Sequence, residues 1–341
     1  MILIITQSID PHAEFVIAAL KRRHAQYVRV DTDSPPAQSP KTLRFSNGWS
    51  ASAHNQDGEK VDFEDIRVIW NRRHSKPTRY AEMSADDERF AYREYKHFLS
   101  GLWHMLRDRF WINQVQATEA AENKPNQLAI AQSLGLEIPR TLMTNDPAEA
   151  FSFWEECDGR IIYKTFHPTI RWNSDGRALA VYTTPVQKAD LISRGDDICL
   201  TPCIFQEYVE KQTELRITVV GTRIFAAEIN TRNSTRARDD WRRYDYKNTI
   251  YRPYTLPESV SDLLHKLMKR LNLVFGCIDM VVTPDNRFVF LEINPMGEWL
   301  WIERNTELPL LAHFTEMLIQ GSETYPEPAQ PLALSSVMEK A

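Results

Sequence analysis

Short apolar runs alternate with longer amphipathic runs through the first third of the chain. Apolar runs of this length predict buried strands, and the longer runs have the 3.6-residue spacing of helices. The expected elements are a strand at MILIIT (1–6), a helix at 10–25, strands at 27–31, 43–53 and 61–73, and an amphipathic helix at 87–106. Asp10 suits the N-cap of the first helix and Pro11 its first turn. We therefore expect an N-terminal α/β unit at residues 1–115.

The rest of the chain is dominated by pairs of apolar runs with turn residues between them. Such pairs predict antiparallel hairpins, whereas the first third favours a more parallel sheet. The expected elements are a strand at FWINQ (110–114), a helix at 124–135, strands at 138–146, 160–166 and 203–209, a hairpin at 214–230, a helix at 260–273, a hairpin at 275–294 and a helix at 309–321. We place this second unit at 116–325 and expect a loose tail at 326–341.

Composition narrows the class of protein. The 341 residues are 43% hydrophobic and 26% charged, and the net charge of −5 gives no support for a nucleic-acid partner. No apolar run approaches the roughly 20 residues of a membrane span, so no membrane partner is expected. The four cysteines form no CxxC pair. A cytoplasmic location is therefore expected, and the oligomeric state, including a homodimer, stays open.

The hairpin at 275–294 carries the most specific chemistry. Its turn lies near Asp285, so Asp279 and Glu292 are expected opposite each other on neighbouring strands. Asn294 shares the face of Glu292, because residues i and i+2 of a strand point the same way. Two carboxylates and an amide oxygen suit Mg²⁺. The alternative is a pair of solvent-facing acids, but the apolar flanks CIDMVV and FVFLEIN favour burial, which requires a compensating cation.

Further residues indicate a nucleotide site. Lys164 ends an apolar strand and Lys124 opens a helix, so each ammonium could reach phosphates, although either alone could be an ordinary surface lysine. The backbone of 207–209 resembles a hinge that reads an adenine edge. Glu214 could take ribose hydroxyls, and Arg216, on the same side of the strand, could face phosphate. An exposed edge strand with alternating charges is the alternative for this segment.

The residues occur in an order and spacing that resemble the ATP-grasp fold, over about 116–320, with LEINP as the most specific part. The resemblance implies ATP and Mg²⁺. It gives these roles: Lys124 and Lys164 on the phosphates, Glu207, Tyr208 and Val209 at the adenine, Glu214 at the ribose, Arg216 on the transferring phosphate, and Asp279, Glu292 and Asn294 on two magnesium ions. One departure is the loop HPTIRWNSDG (167–176), which has only Gly176 where the fold is often glycine-rich. Arg171 or Ser174 would then replace backbone contacts to the phosphates.

Three segments resemble the ATP-grasp maturases of microviridins and related graspetides, which are similar to RimK-type ligases. These segments are IWNRRH (69–74), the run 122–147 and NPMGEWLWIE (294–303), which extends from the second strand of the hairpin at 275–294. Pro295 is expected to stop that strand and turn the chain away. The resemblance implies a ribosomal precursor peptide as partner, with a leader and a core. Its Asp or Glu side chains would become acyl phosphates, which a Ser or Thr hydroxyl or a Lys amine attacks to close ester or amide rings.

A basic segment at 232–245 has five arginines and three aspartates and would attract an acidic peptide. Asp240-Trp241-Arg242 matches an Asp-x-Arg motif that lies beside the peptide in these maturases, so Asp240 and Arg242 join Arg216 as expected catalytic residues. A solvated loop with internal ion pairs is the alternative. Residues 70–73 are expected either at a domain interface or at the peptide.

Rival functions share the same residues. A RimK-like ligase would add a free amino acid to a peptide or small molecule, and a phosphotransferase would differ only in its product. A non-catalytic ATP-binding adaptor belongs to a different class. The joint presence of both lysines, Arg216 and the three metal-ligand candidates disfavours the adaptor.

Overall fold

The computed structural model describes residues 1–55, 57–77, 83–167, 170–172, 178–180, 182–235, 245, 247–329 and 334. The N-terminal part contains β1 (Ile2–Thr6), α1 (Pro11–Arg22), β2 (Tyr27–Asp31), β3 (Lys41–Ser46), β4 (Gly48–His54), β5 (Lys60–Asp62), a 3₁₀ turn (Phe63–Asp65), β6 (Val68–Asn71), α2 (Ala85–Met105) and β7 (Phe110–Ile112). Strands β2, β1, β6 and β7 form a parallel sheet in that order, and β3 to β5 form a small antiparallel sheet. The expected parallel character is confirmed for the first of these sheets.

Helix α1 shows why the local sequence folds as expected. The Asp10 side chain accepts the N–H of His12, and Pro11 occupies the first helical position, where its missing donor costs nothing. The apolar face of the helix, including Val16 and Leu20, packs into the core.

A second region follows: α3 (Val115–Glu122), α4 (Lys124–Ser133), β8 (Thr141–Thr144), α5 (Pro147–Glu156), β9 (Ile161–Lys164), β10 (Ile170–Trp172), β11 (Ala178–Ala180), β12 (Thr184–Val186), α6 (Lys188–Ser193), α7 (Gly195–Cys199) and β13 (Cys203–Glu207). Strands β12, β9, β13 and β8 form an antiparallel sheet, and β10 pairs with β11. Ala150 and Phe153 of α5 pack against Phe205 of this sheet. The sheet forms one wall of the site described below.

The last region contains β14 (Thr213–Val220), β15 (Arg223–Asn230), β16 (Ile250–Tyr254), α8 (Glu258–Arg270), β17 (Phe275–Val282), β18 (Phe288–Asn294), α9 (Leu300–Thr306) and α10 (Leu310–Gln320). Its strands form an antiparallel sheet in the order β16, β15, β14, β17, β18. Both expected hairpins are present, β14 with β15 and β17 with β18. Strand β18 ends at Asn294, so the expectation that Pro295 stops the strand is confirmed. Helix α9, which begins at Leu300, was not predicted.

One core joins the beginning and the end of the chain. Trp70 of the parallel sheet packs on Phe314 of α10, with ring centroids 5.0 Å apart, and Phe275 and Trp299 pack on the same ring. All four side chains are buried. The N-terminal unit therefore lies against one end of the hairpin formed by β17 and β18. The domain boundaries proposed above remain predictions. No helix in the described ranges is long and apolar enough to cross a membrane.

Candidate active site

Three charged side chains line up across neighbouring strands of the large sheet. Arg216 of β14 is in register with Asp279 of β17, and Asp279 is in register with Glu292 of β18. The register shifts directly after Asp279, so that Met280 pairs with Phe290. A shift of this kind is a β-bulge, which re-aims side chains at functional sites. The expected pairing of Asp279 with Glu292 is confirmed.

Each carboxylate of this row has a cationic partner. Nη1 of Arg216 donates to both oxygens of Asp279 at 3.0 Å, and Nζ of Lys124 donates to Oε2 of Glu292 at 2.6 Å. Burial acts to lower the pKa of Arg216, but the neighbouring acidic groups, Asp279 first, raise it above its ordinary value. The guanidinium is therefore charged throughout the working pH range. Four of the residues that the resemblance placed on metal and phosphate, Lys124, Arg216, Asp279 and Glu292, thus form one charged cluster.

The oxygen donors of the cluster fit magnesium in chemical type. Asp279 and Glu292 supply carboxylates, and Asn294 lies two residues further along β18 on the same face. Asn294 is exposed, and its Oδ1 accepts the N–H of Met296 at 3.0 Å. In the part of the chain that the structure describes, no three His, Cys, Asp or Glu side chains meet as a ready-made metal cluster. Magnesium characteristically needs only one or two protein carboxylates and shares the rest of its shell with phosphate and water.

A cleft lies between the sheet of β8, β9, β12 and β13 and the sheet of β14 to β18, and the two carboxylates of the cluster, Asp279 and Glu292, line it, whereas Arg216 and Lys124 do not. Lys164, at the end of β9, lines it from the opposite sheet. Apolar side chains form its walls, among them Ile162, Val281 and Leu291. The expected site residues that line it are Lys164, Glu207, Tyr208, Val209, Glu214, Asp279 and Glu292. A cleft with apolar walls and charged groups at one end suits a ligand in which a planar base is joined to a row of phosphates.

The predicted hinge at 207–209 donates two of its backbone N–H groups to carbonyls of the protein itself. The N–H of Glu207 donates to the Arg140 carbonyl and that of Tyr208 to the Arg160 carbonyl, both at 2.9 Å. The Glu207 carboxylate binds the Arg140 guanidinium, which lowers the pKa of this carboxyl. The Tyr208 N–H is therefore unavailable to a base, which leaves the peptide of Val209 as the expected donor.

Lys211 is a cleft residue that the sequence reasoning missed. Its Nζ donates to Oε1 of Glu214 at 2.5 Å, and both side chains are largely buried in the cleft. Lys211 is therefore positioned to orient Glu214. The one signal in the sequence for a role in the cleft was the position of Lys211, two residues after the hinge at 207–209. Gln206 and Thr183 also line the cleft and were not expected.

Several expected site residues fall outside the described part of the chain. They are Asp240 and Arg242 of the Asp-x-Arg motif, and Ser174 of the glycine-poor loop. The side chain of Arg171 is likewise not described.

The segment IWNRRH contacts the loop that follows β18, as expected for one of the two alternatives left open by the sequence; a role at the peptide stays a prediction. Nη1 of Arg72 donates to the carbonyl of Met296 at 2.6 Å, and Nη2 of Arg73 donates to Oε1 of Glu298 at 3.1 Å. These two contacts connect the parallel sheet to the loop that follows β18. Asn71 donates to the carbonyl of Asn113, a contact within the N-terminal unit.

His12 is buried in the same interface. Its Nε2 accepts the N–H of Trp299 at 3.0 Å. Burial is the largest cause of a lowered pKa, followed by the positive charges of Arg72, Arg73 and Arg216, and the pKa falls from 6.5 to about 2. The folded protein therefore keeps His12 neutral where the unfolded chain takes up a proton.

This difference predicts a pH effect on stability. Between pH 6.5 and about 2 the unfolded state binds one more proton than the folded state at His12, so the free energy of unfolding falls as the pH falls. The size is about 1.4 kcal/mol per pH unit. His12→Gln should be less stable than wild type at pH 7.5, and the gap should narrow by that amount per unit below pH 6. Urea denaturation at pH 7.5, 6 and 5 measures it; parallel profiles for the two proteins would contradict the assignment.

A cleft between two antiparallel sheets, with lysines on its wall, carboxylates at its end and a parallel α/β unit before it in the chain, is the arrangement expected of an ATP-grasp enzyme. Residues 1–119 match the family model of the MvdD pre-ATP grasp domain. The macrocyclase MdnC from Microcystis aeruginosa MRC, solved with the precursor peptide MdnA, is 30% identical, with 94% of this chain and 100% of that chain covered and a TM-score of 0.85.

Two further solved structures of similar enzymes match almost the whole chain. A RiPP-associated ATP-grasp ligase from Chryseobacterium gregarium, in complex with ADP and a leader and core peptide, is 27% identical, with 97% and 99% of the chains covered and a TM-score of 0.86. The macrocyclase MdnB from Microcystis aeruginosa MRC is 29% identical, with 93% and 98% covered and a TM-score of 0.78. No curated protein matches the chain. The chain belongs to the family of ATP-grasp macrocyclases that act in ribosomal peptide maturation. The expected fold and enzyme class are confirmed.

Proposed function

We propose that this ligase closes rings within a ribosomal precursor peptide at the expense of ATP. The observation that carries the proposal is the aligned row of Arg216, Asp279 and Glu292, whose two carboxylates line the cleft. An Asp or Glu side chain of the peptide takes the terminal phosphoryl group of ATP and becomes an acyl phosphate, with release of ADP. A Ser or Thr hydroxyl, or a Lys amine, of the same peptide then attacks that carbonyl and displaces phosphate.

The cleft residues have distinct roles in this proposal. The Val209 peptide and the Glu207 carbonyl read the adenine edge beside the apolar walls. Glu214, oriented by Lys211, takes the ribose hydroxyls. Lys164 and Lys124 neutralise phosphate charge from two sides. Because these groups are already held by the fold, nucleotide binding needs little rearrangement of them.

Asp279, Glu292 and Asn294 are the residues that would hold magnesium. The metal, when bound, supplies positive charge that offsets the triphosphate. Arg216 orients the Asp279 carboxylate through two hydrogen bonds and presents its charge to the transferring phosphoryl group. Lys124 holds Glu292 in the same way. These side chains stabilise charge that develops during transfer, so no covalent nucleophile from the enzyme is required.

The peptide partner is proposed from charge and from the relatives. The arginine-rich segment at 232–245 would attract an acidic core, and Asp240 and Arg242 would lie beside the activated side chain. MdnC was solved with its precursor peptide, and the Chryseobacterium ligase with a leader and a core peptide. A cytoplasmic location and a homodimer also stay proposals. The location agrees with the four cysteines, all described and none in a disulfide.

Nucleotide binding tests the cleft directly. ATP with Mg²⁺ should raise the melting temperature, because a ligand at 100 times its dissociation constant stabilises the native state by about 2.7 kcal/mol. Lys164→Ala removes a charge-assisted contact and should weaken ATP binding about tenfold.

Lys60→Ala serves as the matched control for this experiment, because Lys60 forms only an exposed surface pair with Asp62 on β5. Thermal denaturation with and without millimolar ATP is the measurement. The absence of a wild-type shift, or equal shifts in all three proteins, would show that the nucleotide site is misplaced.

A further inference from the structure

The loop of residues 295–299, which follows the metal strand, is held from two sides. From the ATP-grasp side, Nη2 of Arg216 donates to the carbonyl of Glu298 at 3.1 Å. From the N-terminal unit, Nη1 of Arg72 donates to the carbonyl of Met296 at 2.6 Å. The loop is therefore a physical link between the parallel sheet and the guanidinium proposed to face the transferring phosphate.

Arg72 has little freedom to move. Its side chain is 3% exposed, and its Nε lies 3.2 Å from Oδ2 of Asp10, which is also buried. Nε2 of the neighbouring His12 accepts the N–H of Trp299, so the N-terminal unit holds the same loop at a second point. A buried arginine with several fixed contacts holds a defined position for the backbone to which it donates.

The far side of the loop is equally constrained. A Cβ added at Gly297 would lie 3.1 Å from Nη2 of Arg216 and 2.4 Å from the Cβ of Cys277. Loop and guanidinium are therefore in close contact, and a shift of the loop by a few tenths of an ångström changes the position of Arg216. Arg73 adds a second, more exposed restraint through the Glu298 carboxylate.

We propose that Arg72 is a positioning residue for Arg216: it fixes the 295–299 loop, whose Glu298 carbonyl sets the direction of the Arg216 guanidinium. The N-terminal unit thereby contributes to phosphoryl transfer without touching the nucleotide. This inference rests on the proposed function, because the role of Arg216 at the transferring phosphate is itself part of that proposal.

The test compares the affinity for ADP with that for the ATP analogue AMPPNP, both with Mg²⁺. The ratio of the two dissociation constants isolates the contact to the terminal phosphate. Arg216→Lys should reduce this preference for AMPPNP about tenfold, the size expected for a charge-assisted hydrogen bond. Arg72→Lys should reduce it by about three- to tenfold, with ADP affinity within about twofold of wild type. The double variant should show no further loss, because both changes act on one contact.

Arg23→Gln is the matched control. Arg23 forms another ion pair between the N-terminal unit and the end of the chain, to Glu316 at 2.8 Å, but does not touch the loop. It should lower stability and leave the ratio unchanged. Should Arg72→Lys fail to fold, Glu298→Gln, whose side chain is 56% exposed, should still reduce the ratio about two- to threefold.

The outcomes separate the two claims. If Arg216→Lys leaves the ratio unchanged, the proposed role of Arg216 is wrong and the inference falls with it. If Arg216→Lys lowers the ratio but neither Arg72→Lys nor Glu298→Gln does, the inference alone is wrong. A loss of equal size in Arg23→Gln would show that general destabilisation, and not positioning, changes the ratio.

Discussion

Glu292→Gln is expected to reduce ring formation by at least about a thousandfold while the protein stays folded. The change keeps the size of the side chain and removes one of the two carboxylates in the aligned row. Asp279 alone would then have to offset metal charge, and the partner that Lys124 contacts at 2.6 Å would lose its negative charge. Because Glu292 lies at the end of β18 and is partly exposed, the sheet does not depend on its charge.

Asp285→Asn is the matched control for this prediction. Asp285 lies in the turn of the same hairpin and accepts a hydrogen bond from Arg287, outside the cluster. It should retain wild-type turnover. Turnover is measured as ADP release in the presence of the precursor peptide, and folding by circular dichroism. Wild-type rates for Glu292→Gln at limiting Mg²⁺ would remove this residue from the metal site.

Gly297→Ala is expected to lower turnover by about a hundredfold or more and to destabilise the protein by roughly 2–3 kcal/mol. The new Cβ would lie 2.4 Å from the Cβ of Cys277 and 2.6 Å from its Sγ, distances that packed atoms do not adopt. Cys277 is fully buried in the core, so its side chain cannot avoid the new methyl group by turning into solvent. The strain is therefore expected to displace the loop and Arg216, the group proposed to face the transferring phosphate.

Two further variants test this reasoning. Removing the opposing Cβ in the double variant Gly297→Ala with Cys277→Gly should restore part of the lost turnover, because it creates space where the methyl group enters. Gly101→Ala is the control, since no atom lies within 4 Å of a Cβ added there in α2. It should raise stability slightly, as alanine favours helix over glycine by up to about 1 kcal/mol. Full activity in Gly297→Ala, or no recovery in the double variant, would contradict the account.

Local sequence patterns predicted the hairpin of β17 and β18 correctly, and the reason is physical. Its turn residues 284–286 set the register, and the register sets which side chains face each other. That is why Asp279 and Glu292 were expected opposite each other and are so. The hinge at 207–209 and the start of α4 at Lys124 were likewise predicted from short segments. The resemblance, and not periodicity, supplied the roles of these residues.

Other features depend on contacts between distant parts of the chain. Arg72 and Met296 are 224 residues apart, and no local pattern in either segment reveals their hydrogen bond. Helix α9 was missed because WLWI reads as strand by composition, whereas in the fold Trp299 is buried against Phe314 and His12. Lys211 was overlooked because a lysine in a charged segment is usually solvated, and only the folded cleft buries it against Glu214.

The similarity to MdnC favours a macrocyclase over a ligase that adds free amino acids. MdnC, at 30% identity, is a macrocyclase and was solved with its peptide. A short reading frame beside the gene, encoding a peptide with Thr or Ser and Asp or Glu residues, would supply the candidate precursor. Arg242→Ala should slow ring closure in that peptide more than it weakens ATP binding, because Arg242 is proposed to face the peptide.

The most direct test is the mass of that precursor after co-expression with the enzyme, compared with co-expression with Glu292→Gln. Each bond formed within the peptide should lower its mass by one water, and the Glu292→Gln sample should keep the full mass. Fragmentation should then place each cross-link between an acidic side chain and a hydroxyl or amine. An increase in mass by one residue, dependent on an added amino acid, would contradict the proposed cyclisation and establish a ligase for free amino acids instead.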